Sequence, residues 1–380
     1  MKIQLFEPIF HVDECLAEIK ECLEKGWTGM GYKTAEFEKT WMEYMGVPNA
    51  LFLNSCTATL NLVFHAMKME YEWEDDAEII TTPNTFVSTN HAILQAGLVP
   101  RFADIDDTLC ISPESVEQRI TEKTKAVVFV GIGGNAGHYD QIVEICREYG
   151  LRLILDAAHM SGTRLHGEYV GKEADAICYS FHAVKNLPTA DSGMLCLKDS
   201  KLAIMARKLS WLGINKDTYQ RTQGDRGYQW QYDVEYVGNK YNGNSIMAAI
   251  ALAQLPYLEE DNKRRRQIAK LYRSSLQEYS KEIQFVHIPE ECESSCHLFQ
   301  ILVDDRDRML EYLQEAGIFP GVHYLSNTYY SMYADQAQNC PYAEYVSRKV
   351  LSLPMHLRLT DEQIIYISGK IIDFINHRGN

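Results

Sequence analysis

The chain has 380 residues, 46% of them hydrophobic and 23% charged, which is enough to bury the cores of two or three domains. A net charge of −15 argues against a general affinity for nucleic acid, although a local cationic pocket can still take a small anion. No run of 18 apolar residues occurs, and the opening MKIQLFEPIFHVDECLAEIK lacks the basic-then-apolar layout of a signal peptide, so the sequence reads as soluble and cytoplasmic, with no membrane partner.

Strand and helix signals alternate from about residue 50 to 200. ALFLNS (50–55) predicts a strand and TATLNLVFHAMK (57–68) the helix after it, its apolar residues recurring at helical spacing. AEIITTP, TFVSTNHAILQAG and VPRFADID follow as strand, helix and strand. SPESVEQRI (112–120) predicts a helix with Ser112 as its N-cap and Pro113 in the first turn. TKAVVFVG, YDQIVEICREYG and LRLILDAAH continue the alternation, and DAICYSF and SGMLCLKD close it as short strands. This pattern predicts an α/β fold with a mostly parallel sheet flanked by helices, whose functional residues gather at the carboxyl ends of the strands.

Beyond residue 200 the character changes. A helix, SKLAIMARKLSWLG, precedes a long polar and aromatic stretch (214–244) with no periodicity, which is more often functional than idle. SIMAAIALAQLPYLEEDNKRRRQIAKLYRSSLQEY predicts a long helix bent at Pro256, and its basic run 263–267 reads as a solvated face. HLFQILVD, RDRMLEYLQEAG and TDEQIIYISGKIIDFINHR predict a smaller α+β C-terminal domain. The expected division is a large domain over 1–245 and a smaller one over 246–380. Most of the ten cysteines lie in apolar segments, as buried free thiols do. Only CESSCH (Cys292, Cys296, His297) has ligand-like spacing, and without a second cysteine pair no metal site is expected.

The chemistry is carried by two residues. Asp156 ends the apolar strand LRLIL, and a carboxylate there needs a cation or donors to stay ionised. Lys185, in YSFHAVKNLPTADSG, follows another short strand. One reading is a structural ion pair. The other places pyridoxal 5′-phosphate (PLP) between them, with Lys185 forming a Schiff base and Asp156 holding the protonated pyridine nitrogen that makes the ring an electron sink. The strand-to-helix junction NSCTATLNL offers Ser55, Thr57, Ala58 and Thr59 where free backbone N–H groups favour an anion such as the phosphate, although Ser and Thr are also ordinary caps there. Ser180 adds a hydroxyl. Phe86 can stack on a flat ring, though taken alone it reads as core.

NSCTATLNL, IITTPNTFVSTNHAILQAGLVPRFADIDDTLCISP, LDAAHMSGTRLHGEYVG and SFHAVKN, in register, resemble the DegT/DnrJ/EryC1/StrS family of PLP-dependent sugar aminotransferases. The resemblance runs from GWTGMGYKTAEFE to AEYVSRKVLSLPMHLRLTDEQI and implies the aspartate aminotransferase-like (type I) fold. QYDVEYVGNKYNGNSIMAAIALAQL is similar to the interface loop of the branch that forms UDP-4-amino-4-deoxyarabinose. The resemblance implies that Lys185 carries the cofactor as an imine, that Asp156 binds its ring nitrogen, and that His159 lies beside the ring or its hydroxyl. It implies phosphate contacts from the backbone of Thr57 and Ala58 and from Ser180, and stacking by Phe86. Lys240 and Asn242 would reach a neighbouring subunit's site, giving a homodimer with shared active sites, and His323 and Tyr324 would lie near the sugar.

The implied reaction converts a nucleotide-linked keto-deoxysugar to an amino sugar, with glutamate as amino donor. Lys185 itself speaks against the family's sugar dehydratases, which carry histidine at that position. An aminotransferase for a keto-cyclitol or other polyol remains an alternative, as does a non-catalytic relative acting as a binding protein. Departures from the family pattern touch Cys56, where relatives have glycine, Gly243 after KYN, the GGNAGHYDQI segment, and HYLSNTYYSMY, which lacks a second histidine.

Overall fold

The computed structural model describes residues 2–216, 218–222 and 230–377. In chain order the strands of its first half are β1 (Ala50–Leu53), β2 (Glu78–Thr81), β3 (Val99–Phe102), β4 (Thr124–Val130), β5 (Arg152–Asp156), β6 (Arg164–Leu165), β7 (Glu168–Tyr169), β8 (Ala176–Ser180) and β9 (Gly193–Leu197). Seven of them form one sheet in the order β1-β9-β8-β5-β4-β2-β3. Only β9 runs against the rest, antiparallel to both β1 and β8, so the expected mostly parallel sheet is present.

The apolar runs in these strands follow from burial of both sheet faces. Successive residues alternate sides, so Val127, Phe129, Leu153 and Leu155 pack into one core while Ala126, Val128, Val130 and Ile154 pack into the other. Helix α1 (Val12–Glu24) precedes α2 (Tyr32–Met45), which covers the first face with Phe37, Trp41 and Met45. Helix α3 (Cys56–Glu70) covers the second with Leu60, Val63 and Met67, joined by α4 (Ser88–Gln95) and the helix Ser200–Leu209. The predicted cap is in place: Ser112 Oγ accepts a hydrogen bond from Ser115 N–H at 3.3 Å at the start of the helix Pro113–Glu117.

The C-terminal part adds β10 (Ile283–Phe285), β11 (Cys292–Glu293), β12 (Phe299–Val303) and β13 (Val350–Leu353). An antiparallel sheet β10-β12-β13 packs with the helices Arg306–Glu315 and Asp361–Asn376 around a third core. The predicted long helix is two helices, Ser245–Gln254 and Leu258–Leu276, with a 3₁₀ turn at Leu255–Tyr257 where Pro256 cannot donate to the helical ladder. Ala248 and Ala251 of its first segment belong to the core over the large sheet, and Ile268, Tyr272 and Leu276 of its second to the C-terminal core. Among the described residues no helix is long and apolar enough to cross a membrane.

Candidate active site

Strands β1, β2, β4, β5 and β8 point their carboxyl ends the same way, and the residues just beyond them surround a cavity of about 360 Å³. Asp156 closes β5, and Lys185 sits five residues beyond β8, its backbone N–H bonded to His182 O at 2.8 Å. Both side chains line the cavity. Burial pushes the Lys185 ammonium down to about 8, and the partial opposing pull of Cys56 and Asp156 does not restore it. Burial raises the Asp156 carboxyl, while the Thr89 hydroxyl and the Ala158 N–H lower it. Thr89 Oγ1 donates to Asp156 Oδ2 at 2.7 Å and Ala158 N–H to Oδ1 at 3.1 Å. These two donors hold the carboxylate in one orientation without neutralising it. Among the described residues no ion pair joins Lys185 to Asp156, and both border the same space.

His159 forms another part of the wall. The Gly133 N–H donates to His159 Nδ1 at 3.2 Å, and His159 Nε2 lies 3.2 Å from the Tyr324 hydroxyl. Burial, with Lys185 and His323 nearby, holds the His159 imidazolium well below its usual range, so the ring is neutral. His323 is lowered to about 4, by burial first and Lys185 second. Burial first, and the Asp156 charge second, raise the Tyr324 phenol, which stays protonated. At the other end, the N-terminus of α3 presents Ser55, Cys56 and Thr57 to the cavity, where the helix dipole favours an anion. Ser180 is there too, its Oγ 3.4 Å from the His182 N–H. A cavity lined by an amine, a buried carboxylate and an anion-favouring helix end suits the donor set of PLP.

Residues 11–372 match the DegT/DnrJ/EryC1/StrS aminotransferase family. The chain belongs to that family. Among curated relatives, it is 35% identical over 375 residues to the spore coat polysaccharide biosynthesis protein SpsC of Bacillus subtilis, covering 95% of this chain and 94% of that one. Among solved structures, it is similar to Helicobacter pylori PseC, an aminotransferase involved in the biosynthesis of pseudoaminic acid (TM-score 0.90, 27% identity, 99% of this chain and 100% of that one). It is also similar to the putative sugar aminotransferase Spr1654 of Streptococcus pneumoniae in its PLP form (TM-score 0.87, 28% identity, 97% of each chain). The family and these neighbours are PLP-dependent aminotransferases, and this chain is an enzyme of that class with their type I fold.

Against the DegT/DnrJ/EryC1/StrS pattern, the structure brings Lys185, Asp156, His159, Thr57, Phe86, Ser180, His323 and Tyr324 to one cavity. Phe86 is 59% exposed there, so the alternative of a core position is set aside. Ala58 is buried behind the wall with its N–H given to Ser55 Oγ at 3.1 Å, which leaves Thr57 as the nearer backbone donor. Lys240 and Asn242 lie outside this cavity: Lys240 Nζ sits 4.6 Å from the Trp211 ring centroid, and Asn242 Oδ1 is buried with no hydrogen-bond partner among the described residues. Much of the aperiodic stretch that precedes them, residues 217 and 223–229, lies outside the described residues. Cys292, Cys296 and His297 form no ligand cluster among the described residues; Cys296 enters the C-terminal core and His297 the cavity wall.

Sequence reasoning missed Thr89, Phe6 and His297. Thr89 stands three residues beyond Phe86 in the helix Ser88–Gln95, fully buried, and only the fold brings it to Asp156. Phe6 reaches the cavity only because Ile3 bridges to Ile318 and pins the N-terminal segment to the C-terminal part.

Proposed function

We propose that this protein transfers an amino group from glutamate to the keto carbon of a nucleotide-linked deoxysugar, using PLP held between Lys185 and Asp156. The observation that carries the reading is a lysine with a depressed pKa and a hydrogen-bonded buried carboxylate lining one cavity. Bound there, PLP supplies an aldehyde for nitrogen and a cationic ring that accepts electrons from a carbanion.

The residues divide the work. Lys185 Nζ, neutral at a much lower pH than a free lysine, removes the α-proton of the amino donor and in the second half delivers a proton to the sugar carbon that receives nitrogen. Asp156, held by Thr89 and Ala158, would keep a proton on the ring nitrogen of the bound cofactor by its charge. Thr57 and Ser180, with the α3 N-terminus, anchor the phosphate, and Phe86 and His159 supply the flat walls. Donor and acceptor use one cavity in turn, which makes the kinetics ping-pong. The sugar is supported by the neighbours: PseC and Spr1654 are described as sugar-pathway or sugar aminotransferases, and SpsC serves a polysaccharide.

The active unit in this reading is a homodimer. Trp230, Tyr232, Val234 and Val237 are exposed on the segment leading to Lys240, and this group of apolar side chains suits burial against a second copy of the chain. Lys240 and Asn242 then serve the partner's cavity, since they do not reach their own. The test is direct. The purified protein should be yellow, borohydride should fix the cofactor to Lys185, and panels of UDP-, dTDP- and GDP-linked keto sugars should yield an amino product by mass. A colourless protein that takes up no added PLP defeats the proposal.

A further inference from the structure

Resting on the aminotransferase reading, we propose that His297 is a substrate-binding residue whose bare Nε2 accepts a hydrogen bond from a hydroxyl of the keto sugar. The direction of every hydrogen bond leading to it is settled by a backbone carbonyl. Asn262 Nδ2 donates to Ser161 O at 2.8 Å, which leaves Asn262 Oδ1 as an acceptor. Asn186 Nδ2 donates to that Oδ1 at 2.7 Å and to Ser295 O at 2.8 Å, which uses both of its amide hydrogens. Asn186 Oδ1 is therefore the acceptor toward His297 Nδ1, 2.9 Å away, and Nδ1 must carry the hydrogen. The other ring nitrogen, Nε2, is a lone pair with no partner among the described residues, on a ring that lines the cavity.

The neighbouring ring is set the opposite way. His159 Nδ1 accepts the Gly133 N–H, so His159 Nε2 carries the hydrogen and donates to Tyr324 Oη. The Tyr324 hydrogen is then free to point into the cavity. His159 and His297 lie 4.3 Å apart, and Phe6 stacks on the far side of His297 at 5.4 Å, so the two rings cannot easily turn. Burial, His159 and Lys185 hold the His297 imidazolium well below the usual range, which keeps the lone pair available at working pH. The cavity thus offers one fixed donor, Tyr324, and one fixed acceptor, His297. Glutamate brings no hydroxyl, whereas a sugar brings several, so the acceptor distinguishes the second half-reaction from the first. Asn186 and Asn262 act through His297 and are positioning residues.

The test separates the half-reactions in the holoenzyme. His297→Phe removes the acceptor and His297→Gln offers another. Conversion of the cofactor by L-glutamate, followed by absorbance, should fall far less than sugar amination in both variants. Amination of dTDP-4-keto-6-deoxyglucose or its UDP counterpart should fall about ten-fold in kcat/KM for His297→Phe, and His297→Gln should recover part of it. Equal losses in both half-reactions would overturn the assignment. If the wild-type enzyme aminates neither sugar while glutamate still converts the cofactor, the nucleotide-sugar reading fails, and ¹⁵N spectra of the histidine rings decide the rest: hydrogen on Nδ1 of His297 sustains the acceptor, and hydrogen on Nε2 sinks it.

Discussion

Lys185 and Asp156 both suffer from burial, and the protein relieves only one of them. Asp156 has the Thr89 hydroxyl and the Ala158 N–H, whereas Lys185 is left with distant charges and a pKa of about 8 in place of 10.5. Because the folded value is the lower one, the penalty on the folded state is fully present below about pH 8 and disappears as the pH rises toward 10.5. Lys185→Met should therefore abolish transamination yet stabilise the cofactor-free protein at pH 7 by roughly 3 kcal/mol, with the gain shrinking by pH 10 in denaturation curves. The same shift predicts that the cofactor-free protein takes up PLP faster as the pH rises through about 8, because the neutral amine is the form that attacks an aldehyde. Asp156→Asn keeps the shape and removes the charge; kcat should fall about a hundred-fold or more while PLP is retained, as stopped-flow and absorbance together would show.

At the scale of elements, the site depends on how closely strand β9 approaches the start of α3. A Cβ on Gly193 would lie 2.8 Å from the backbone of Ser55 and Cys56, so Gly193 lets the reversed strand pass beneath the anion-favouring helix end. Gly193→Ala should push that end outward, costing about 1–3 kcal/mol in stability and weakening PLP retention on dialysis. Relaxing the other side, Cys56→Gly should leave retention intact, because the phosphate there is expected to meet backbone donors and not the thiol. The strand-helix alternation that builds these elements was legible because period and capping are local: Ser112 caps its helix as read, and the apolar strands are buried on both faces. The break at Leu255–Tyr257 was legible for the same reason, since proline acts on its own turn. The extent of β3 was not. VPRFADID looks extended throughout, but pairing with β2 ends at Phe102, and Asp104 instead accepts the N–H groups of Tyr342 and Ala343.

For the whole molecule, the claim most exposed to experiment is the dimer. Lys240 and Asn242 stand outside their own cavity, on a segment with exposed aromatic and aliphatic side chains. Dilution monitored by native mass spectrometry should release PLP as the dimer parts, and Lys240→Ala should raise the concentration at which this happens; a stable monomer that keeps its cofactor would refute the shared site. The amino-acid sequence by itself determined the class of fold and the helix end that favours an anion, and it offered Lys185 and Asp156 as candidates for the chemistry, because each is written in neighbouring residues. Only the tertiary structure decided that Lys185 and Asp156 face one space, that Phe86 turns outward, that Phe6 arrives from the other end of the chain, and that backbone groups of Gly133 and Ser295 dictate which nitrogen of each histidine holds its hydrogen. Those are contacts between segments remote in the chain, chosen by packing, and no local period encodes them.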